Sequence, residues 1–243
     1  MHYHKPVLAG IALAITGLFA CNSNEIGESK DVNQDKIYMD YNISYTEGDD
    51  QVALNFQYRF AGPAGTTLVL NSPSQVKLDG ELLKVDSSKY GGAYYVADKN
   101  YKAFLGKHSI QFTDISGKQF ENSFEFAPFT LVNLPQTADR NRDLVIYYNI
   151  NGLNANDDIE INSIDTDSSF HYHQPGSSTS VAIPAADLKR QQKNELSFEA
   201  VIYRQLPLEH TTGEGGKLML TYRLKPVKIK LQPTKMLLKI MII

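Results

Sequence analysis

A single cysteine, no tryptophan and no apolar run long enough to cross a bilayer set the first limits on this chain of 243 residues. With Cys21 alone, neither an internal disulfide nor a Cys-ligated zinc site can form, so the fold must be held by its core. The apolar run from Val7 to Ala20 would reach only about 21 Å as a helix, against a hydrocarbon thickness of about 30 Å. That is too short for a permanent span. There is no Gly-x-Ser-x-Gly elbow, no phosphate loop, no His-Glu-x-x-His and no spare cysteine, so no catalytic residue and no cofactor is assigned. Basic residues are scarce in the body of the chain. From Asn22 to Glu214 there are 16 Lys and Arg against 27 Asp and Glu, whereas the last segment, from Gly215, has 7 basic residues and no acidic one. An acidic body argues against a nucleic-acid partner.

What is present begins with Cys21 itself. It closes Leu18-Phe19-Ala20-Cys21 after a short basic start at Lys5 and the apolar run, the layout of a lipoprotein signal over residues 1–20. The expectation is a mature chain that starts at Cys21, carries lipid on its sulfur, and reaches its first domain through a polar, flexible tether over residues 21–36.

Beyond the tether the apolar pattern has a period of two. Val52, Leu54, Phe56, Tyr58 and Phe60 fall on one face and Ala53, Asn55, Gln57 and Arg59 on the other, as in a strand with one face buried and one wet. Further strands are expected over 37–45, 66–70, 76–78, 81–85, 93–97, 108–113 and 119–126, with Asp79-Gly80 as a two-residue hairpin turn. Pro128 and the stretch from Asn133 to Arg142 interrupt this run. A second run follows over 144–150, 158–164, 179–183, 195–203, 217–224 and 227–231, with one helical turn at residues 184–188. The fold class is therefore all-β: two antiparallel β-sandwich domains, 37–132 and 133–232, then an apolar tail over 233–243.

The segments Arg59-Phe-Ala-Gly-Pro-Ala-Gly-Thr-Thr-Leu68, Val76-Lys-Leu-Asp-Gly-Glu-Leu82 and Gly106-Lys-His-Ser-Ile-Gln-Phe-Thr-Asp114 resemble those of Gram-negative lipoproteins with Ig-like β-sandwich domains. The resemblance covers the signal and most of the first domain, with a weaker echo in the second. It implies tandem Ig-like domains and an envelope location, and no catalytic residues.

Three groups of residues stand out as candidate sites. Tyr90-Gly91-Gly92-Ala93-Tyr94-Tyr95 sets three rings around a flexible Gly pair, and tyrosine offers rigid, amphipathic contact area to a sugar or a protein. On a strand, one of Tyr94 and Tyr95 faces outward. His171 and His173 would point to one side of a strand as a metal pair, with Asp165, Asp167 or His210 as candidate third ligands. Asp139-x-Asn141-x-Asp143 and Asn154-x-Asn156-x-Asp158-x-Glu160 imitate calcium loops, yet the first has Leu144 where an EF-hand needs Gly and Ile150 where it needs Glu. The reading is a binding or scaffold protein anchored by lipid at Cys21 in a Gram-negative envelope, at the outer membrane. Its partner would be a glycan or another envelope protein. The rival is an envelope hydrolase or metal-dependent enzyme on the same fold.

Overall fold

In a computed structural model, residues 25–149, 156–165 and 168–232 are described. The first half holds β1 (Ile26–Glu28), β2 (Ile37–Thr46), β3 (Gln51–Phe60), β4 (Thr66–Val69), β5 (Gln75–Leu78), β6 (Glu81–Leu82), β7 (Lys84–Ser88), β8 (Gly92–Asn100), β9 (Gly106–Thr113) and β10 (Gln119–Phe126). The second holds β11 (Thr130–Val132), β12 (Thr137–Asp139), β13 (Leu144–Asn149), β14 (Asp158–Ser163), β15 (His171–Pro175), β16 (Ser180–Ile183), β17 (Glu195–Leu206), β18 (Gly216–Arg223) and β19 (Val227–Gln232). Between β16 and β17 lies the short helix α1 (Ala185–Arg190), which starts after Pro184 near the expected helical turn.

The period of two decides which faces are buried. Along β3, Val52, Leu54, Phe56 and Tyr58 are buried while Gln51, Ala53 and Asn55 are exposed. Met39, Tyr41, Ile43 and Tyr45 of β2 join the same buried side. Opposite them stand Val76, Leu78, Ile110, Phe112, Phe120, Phe124 and Phe126 from a separate sheet ordered β10-β9-β5-β6. Tyr58 meets Phe112 at 4.5 Å between ring centroids, and Tyr45 meets Phe126 at 6.2 Å, so two sheets close over one aromatic core. Each large apolar side chain buried this way is worth roughly 1.5–3 kcal/mol. Asp79 and Gly80, with φ of 50° and 82°, make the expected hairpin turn between β5 and β6.

In the second half a smaller sheet, β11-β13-β16, contributes Leu144, Ile146, Tyr148, Val181 and Ile183. They belong to the same buried cluster as Ile159, Ile161, Leu196, Phe198 and Ile202 of β14 and β17. β11 pairs with β13, Leu131 opposite Tyr148, and so belongs to the second half although it precedes the expected division at 132/133.

The two halves share their largest sheet. β18 runs parallel to β2 from Gly216 opposite Met39 to Arg223 opposite Thr46. One sheet thereby passes through β7, β8, β3, β2, β18, β17, β14 and β15. Behind it Phe126 of the first half lies 5.3 Å from Tyr222 of the second. Asn122 and the His210 backbone exchange two hydrogen bonds, of 2.9 and 3.0 Å. The two small sheets are separate, and the large one crosses the boundary.

Residues 25–36 correct the expectation of a flexible tether. β1 pairs in parallel with β4, Ile26 opposite Thr67, and two 3-10 turns follow at Ser29–Asp31 and Gln34–Lys36. Ser29 is fully buried, its hydroxyl accepting from the Asn71 amide at 2.9 Å. A polar composition suits a tether, but backbone bonds to an open strand edge need no particular side chains. The remainder of the expected tether (21–24), the signal and the tail over 233–243 lie outside the described residues.

Candidate functional site

The tyrosine cluster is divided by the pleat of β8. Tyr90 sits at the tip of the β7–β8 turn and is 83% exposed. Its turn is fixed on both sides: the Gly91 amide donates to Ser88 Oγ at 2.8 Å, and the Gly91 carbonyl accepts from Gln57 Nε2 at 2.6 Å. Gly92, at φ of 70°, lies where a Cβ would come within 2.3 Å of Thr67 Oγ1. Tyr94 follows on the outer face of β8, half-buried. Tyr95 points inward and is 4% exposed, so it is a core residue rather than part of an exposed binding cluster. Its hydroxyl accepts from the Leu70 amide at 2.7 Å, its ring meets Tyr58 edge-on at 5.8 Å, and burial pushes its pKa up to about 12. Tyr95 also forms the back of a cleft of about 560 Å³ with Leu70, Pro73, Leu82, Leu83 and Val85.

His171 and His173 lie on the outer side of β15, exposed, their rings stacked with centroids 6.3 Å apart. His171 Nδ1 bonds Asn162 Oδ1 across the strand pair, and His173 Nδ1 stands 3.5 Å from Asp158 Oδ1. The expected third ligands are engaged elsewhere. Asp165 holds Lys193 Nζ at 2.8 Å, and His210 Nδ1 lies 2.6 Å from the Glu121 carbonyl in the first half. Asp167 is outside the described residues. Among the described residues no three His, Cys, Asp or Glu side chains come together in a metal-binding arrangement.

The calcium-like stretches have structural partners where they are described. Asp139 Oδ1 accepts from the Asn141 backbone amide at 2.9 Å, an Asx turn, and Asp143 Oδ1 accepts from the Ala185 amide at 2.8 Å beside α1. Ile150 and Asn154 lie outside the described residues, as does Cys21.

One cleft gave no signal in the sequence. Asp79, Lys107, His108, Ser109, Ser123, Phe124 and Glu125 line a hollow of about 510 Å³ on the smaller sheet of the first half. His108 stacks on Phe104 at 3.8 Å, with Nδ1 2.7 Å from Asp79 Oδ2 and Nε2 2.8 Å from the Phe104 carbonyl. Both ring nitrogens face acceptors, which ties the β5–β6 hairpin to β9. Spacing could not reveal this, because Asp79 meets His108 only through strand pairing.

The most extended feature is the outer face of the shared sheet. Asp98, Ala53, Ser44, Thr221, Tyr203 and Asp158 stand opposite one another in an unbroken row across six strands. A neighbouring row runs Lys84, Val96, Asn55, Asn42, Met219 and Gln205. At about 4.8 Å per strand, the eight strands make a face roughly 34 Å wide. Ser44, Ala53, Asn55, Val96 and Asp98 are exposed on it, and Tyr94 and Tyr203 are half-buried. Ion pairs on it include Lys217 with Asp40 at 3.4 Å and Arg223 with Glu199 at 2.5 Å. Burial, then the carboxylate of Glu160, raise the pKa of Tyr203 and keep it neutral, a hydroxyl that can both donate and accept.

No protein-family profile matches the chain, and no curated protein matches it. Among solved structures, one from work on host cell-surface retention of a 1.5-MDa bacterial ice-binding adhesin is 14% identical, covers 83% of this chain and 67% of its own, and has a TM-score of 0.28. The adhesin InvE of Yersinia pseudotuberculosis is 9% identical, with 83% and 60% covered and a TM-score of 0.22. At these scores neither likeness bears on fold or activity.

Proposed function

We propose that this chain is a lipid-anchored binding module of a Gram-negative cell envelope, at the outer membrane, which recognises a glycan or another envelope protein without catalysing a reaction. The observation that carries the reading is the outer face of the shared sheet, on which Ser44, Ala53, Asn55, Val96 and Asp98 are exposed. It is broad, rich in short polar side chains that reach little beyond the backbone, and carries the half-buried rings of Tyr94 and Tyr203. Such a face suits a flat partner, and its hydroxyls and amides suit hydrogen bonding to hydroxyl-rich or peptide surfaces. The anchoring part rests on Leu18-Phe19-Ala20-Cys21.

Envelope extract and a glycan array are the probes. Asn55→Arg with Ser44→Arg places two bulky cations at the centre of the face and should abolish capture while the far-ultraviolet circular dichroism stays that of a β protein. Capture that survives both substitutions in a folded protein would remove the sheet face from the reading. For the anchor, Cys21→Ser should release the protein from the membrane fraction; retention with unchanged mass would overturn that part.

A further inference from the structure

We infer that the β7–β8 turn, with Tyr90 at its tip, and the start of β1 at Ile26 rest in the headgroup layer of the phospholipid bilayer that holds Cys21. The inference rests on the anchoring reading above and adds an orientation to it. Its first support is the length of chain available. The described residues begin at Glu25, whose carbonyl accepts from the Thr67 backbone amide at 3.0 Å and from Thr67 Oγ1 at 2.8 Å. Cys21 is four residues before it, a span of at most about 14 Å whatever path those residues take. The body is therefore held against the surface by the end that carries Glu25.

The second support is what else lies at that end. Thr67 Oγ1, already bonded to Glu25, also accepts from the Ala93 amide at 2.9 Å, so two hydrogen bonds connect the entry of the chain to the base of the β7–β8 turn. Exposed side chains there include Tyr90, 83% exposed, and Ile26, 48% exposed, with exposed Lys89 beside the tyrosine and the exposed carboxylates of Glu25 and Asp86 nearby. A tyrosine with an apolar ring and a polar tip fits the membrane interface, and a lysine next to it fits anionic headgroups.

The opposite end of the first half lies beyond the reach of those four residues. Gly91 lies beside Gln57, whereas Asp49, Asp50 and Asp98 surround a hollow of about 630 Å³ beside Gln51. Roughly 20 Å of β3 separates the two ends at about 3.4 Å per residue. With the strands standing on the bilayer in this way, the outer face of the shared sheet is presented sideways, free of the membrane.

The absence of tryptophan allows a clean test. Tyr90→Trp and, at the far end, Gln51→Trp each give the lipidated full chain a unique fluorophore at an exposed position. Each variant is purified from host membranes and reconstituted in vesicles of phosphatidylethanolamine and phosphatidylglycerol carrying a shallow doxyl quencher. The expected result is a blue shift and loss of emission for Tyr90→Trp and neither for Gln51→Trp. Vesicle flotation with unquenched Tyr90→Trp, or equal quenching at both positions, would overturn the orientation alone. Failure to float, with a mass that lacks lipid, would overturn the anchoring reading and this inference with it.

Discussion

Substituting Tyr95 with Phe removes the hydroxyl that accepts the Leu70 amide, and the ring stays in place against Tyr58. A half-buried amide without its partner costs about 1 kcal/mol, which a shift in the urea midpoint at constant slope would report. Tyr94→Phe, one residue away, should leave that midpoint unchanged within about 0.5 kcal/mol, since its hydroxyl is on the wet side of β8. The sequence shows that these neighbours face opposite ways. It does not show which is inside, because that is decided by Phe56, which stands opposite Tyr95 in the β3–β8 ladder. The histidine pair was legible as a pair on one face of a strand. That Asp165 and His210 are engaged elsewhere was not, since they are placed by loops whose paths follow from long-range contacts.

Among the elements, the long alternating strands β3 and β10 have the bounds their pattern gives, 51–60 and 119–126. Those the pattern misses are the three-residue strands β1, β11 and β12. Two of these, β1 and β12, join parallel neighbours by backbone pairing, which composition does not record. The single strand expected over 81–85 is instead β6 and β7, in different sheets, with buried Leu83 at the crossing. Gly92 is where an element depends on one residue. Gly92→Ala meets both a positive φ and the Thr67 side chain, and should cost more than about 1 kcal/mol. It should also raise amide exchange at Ala93, whose N–H bonds Thr67, well before the rest of β8 exchanges. Equal protection of Ala93 in the variant would show that the turn absorbs the change.

At the scale of the molecule, the all-β class was readable from the period of two, and the two small sheets divide between Phe126 and Thr130, ahead of the expected division at 132/133. The continuity of the large sheet was not readable, because nothing in the alternation of β2 or β18 names its neighbour. That continuity makes a prediction about fragments. Residues 25–132 alone should leave the β2 edge from Met39 to Thr46 without its partner, and should self-associate in gel filtration where the full body stays monodisperse. Adding residues 216–223 as a peptide should reverse this; a monomeric, cooperatively melting fragment would contradict it.

The parallel pairing of β2 with β18 also sets a timetable. Among the described strands the second waits for the last but one, and a contact between segments so distant in sequence closes late and slowly. During synthesis β2 therefore passes a long interval as an open edge, the period in which a newly made chain is most exposed to wrong partners and most in need of a holding chaperone.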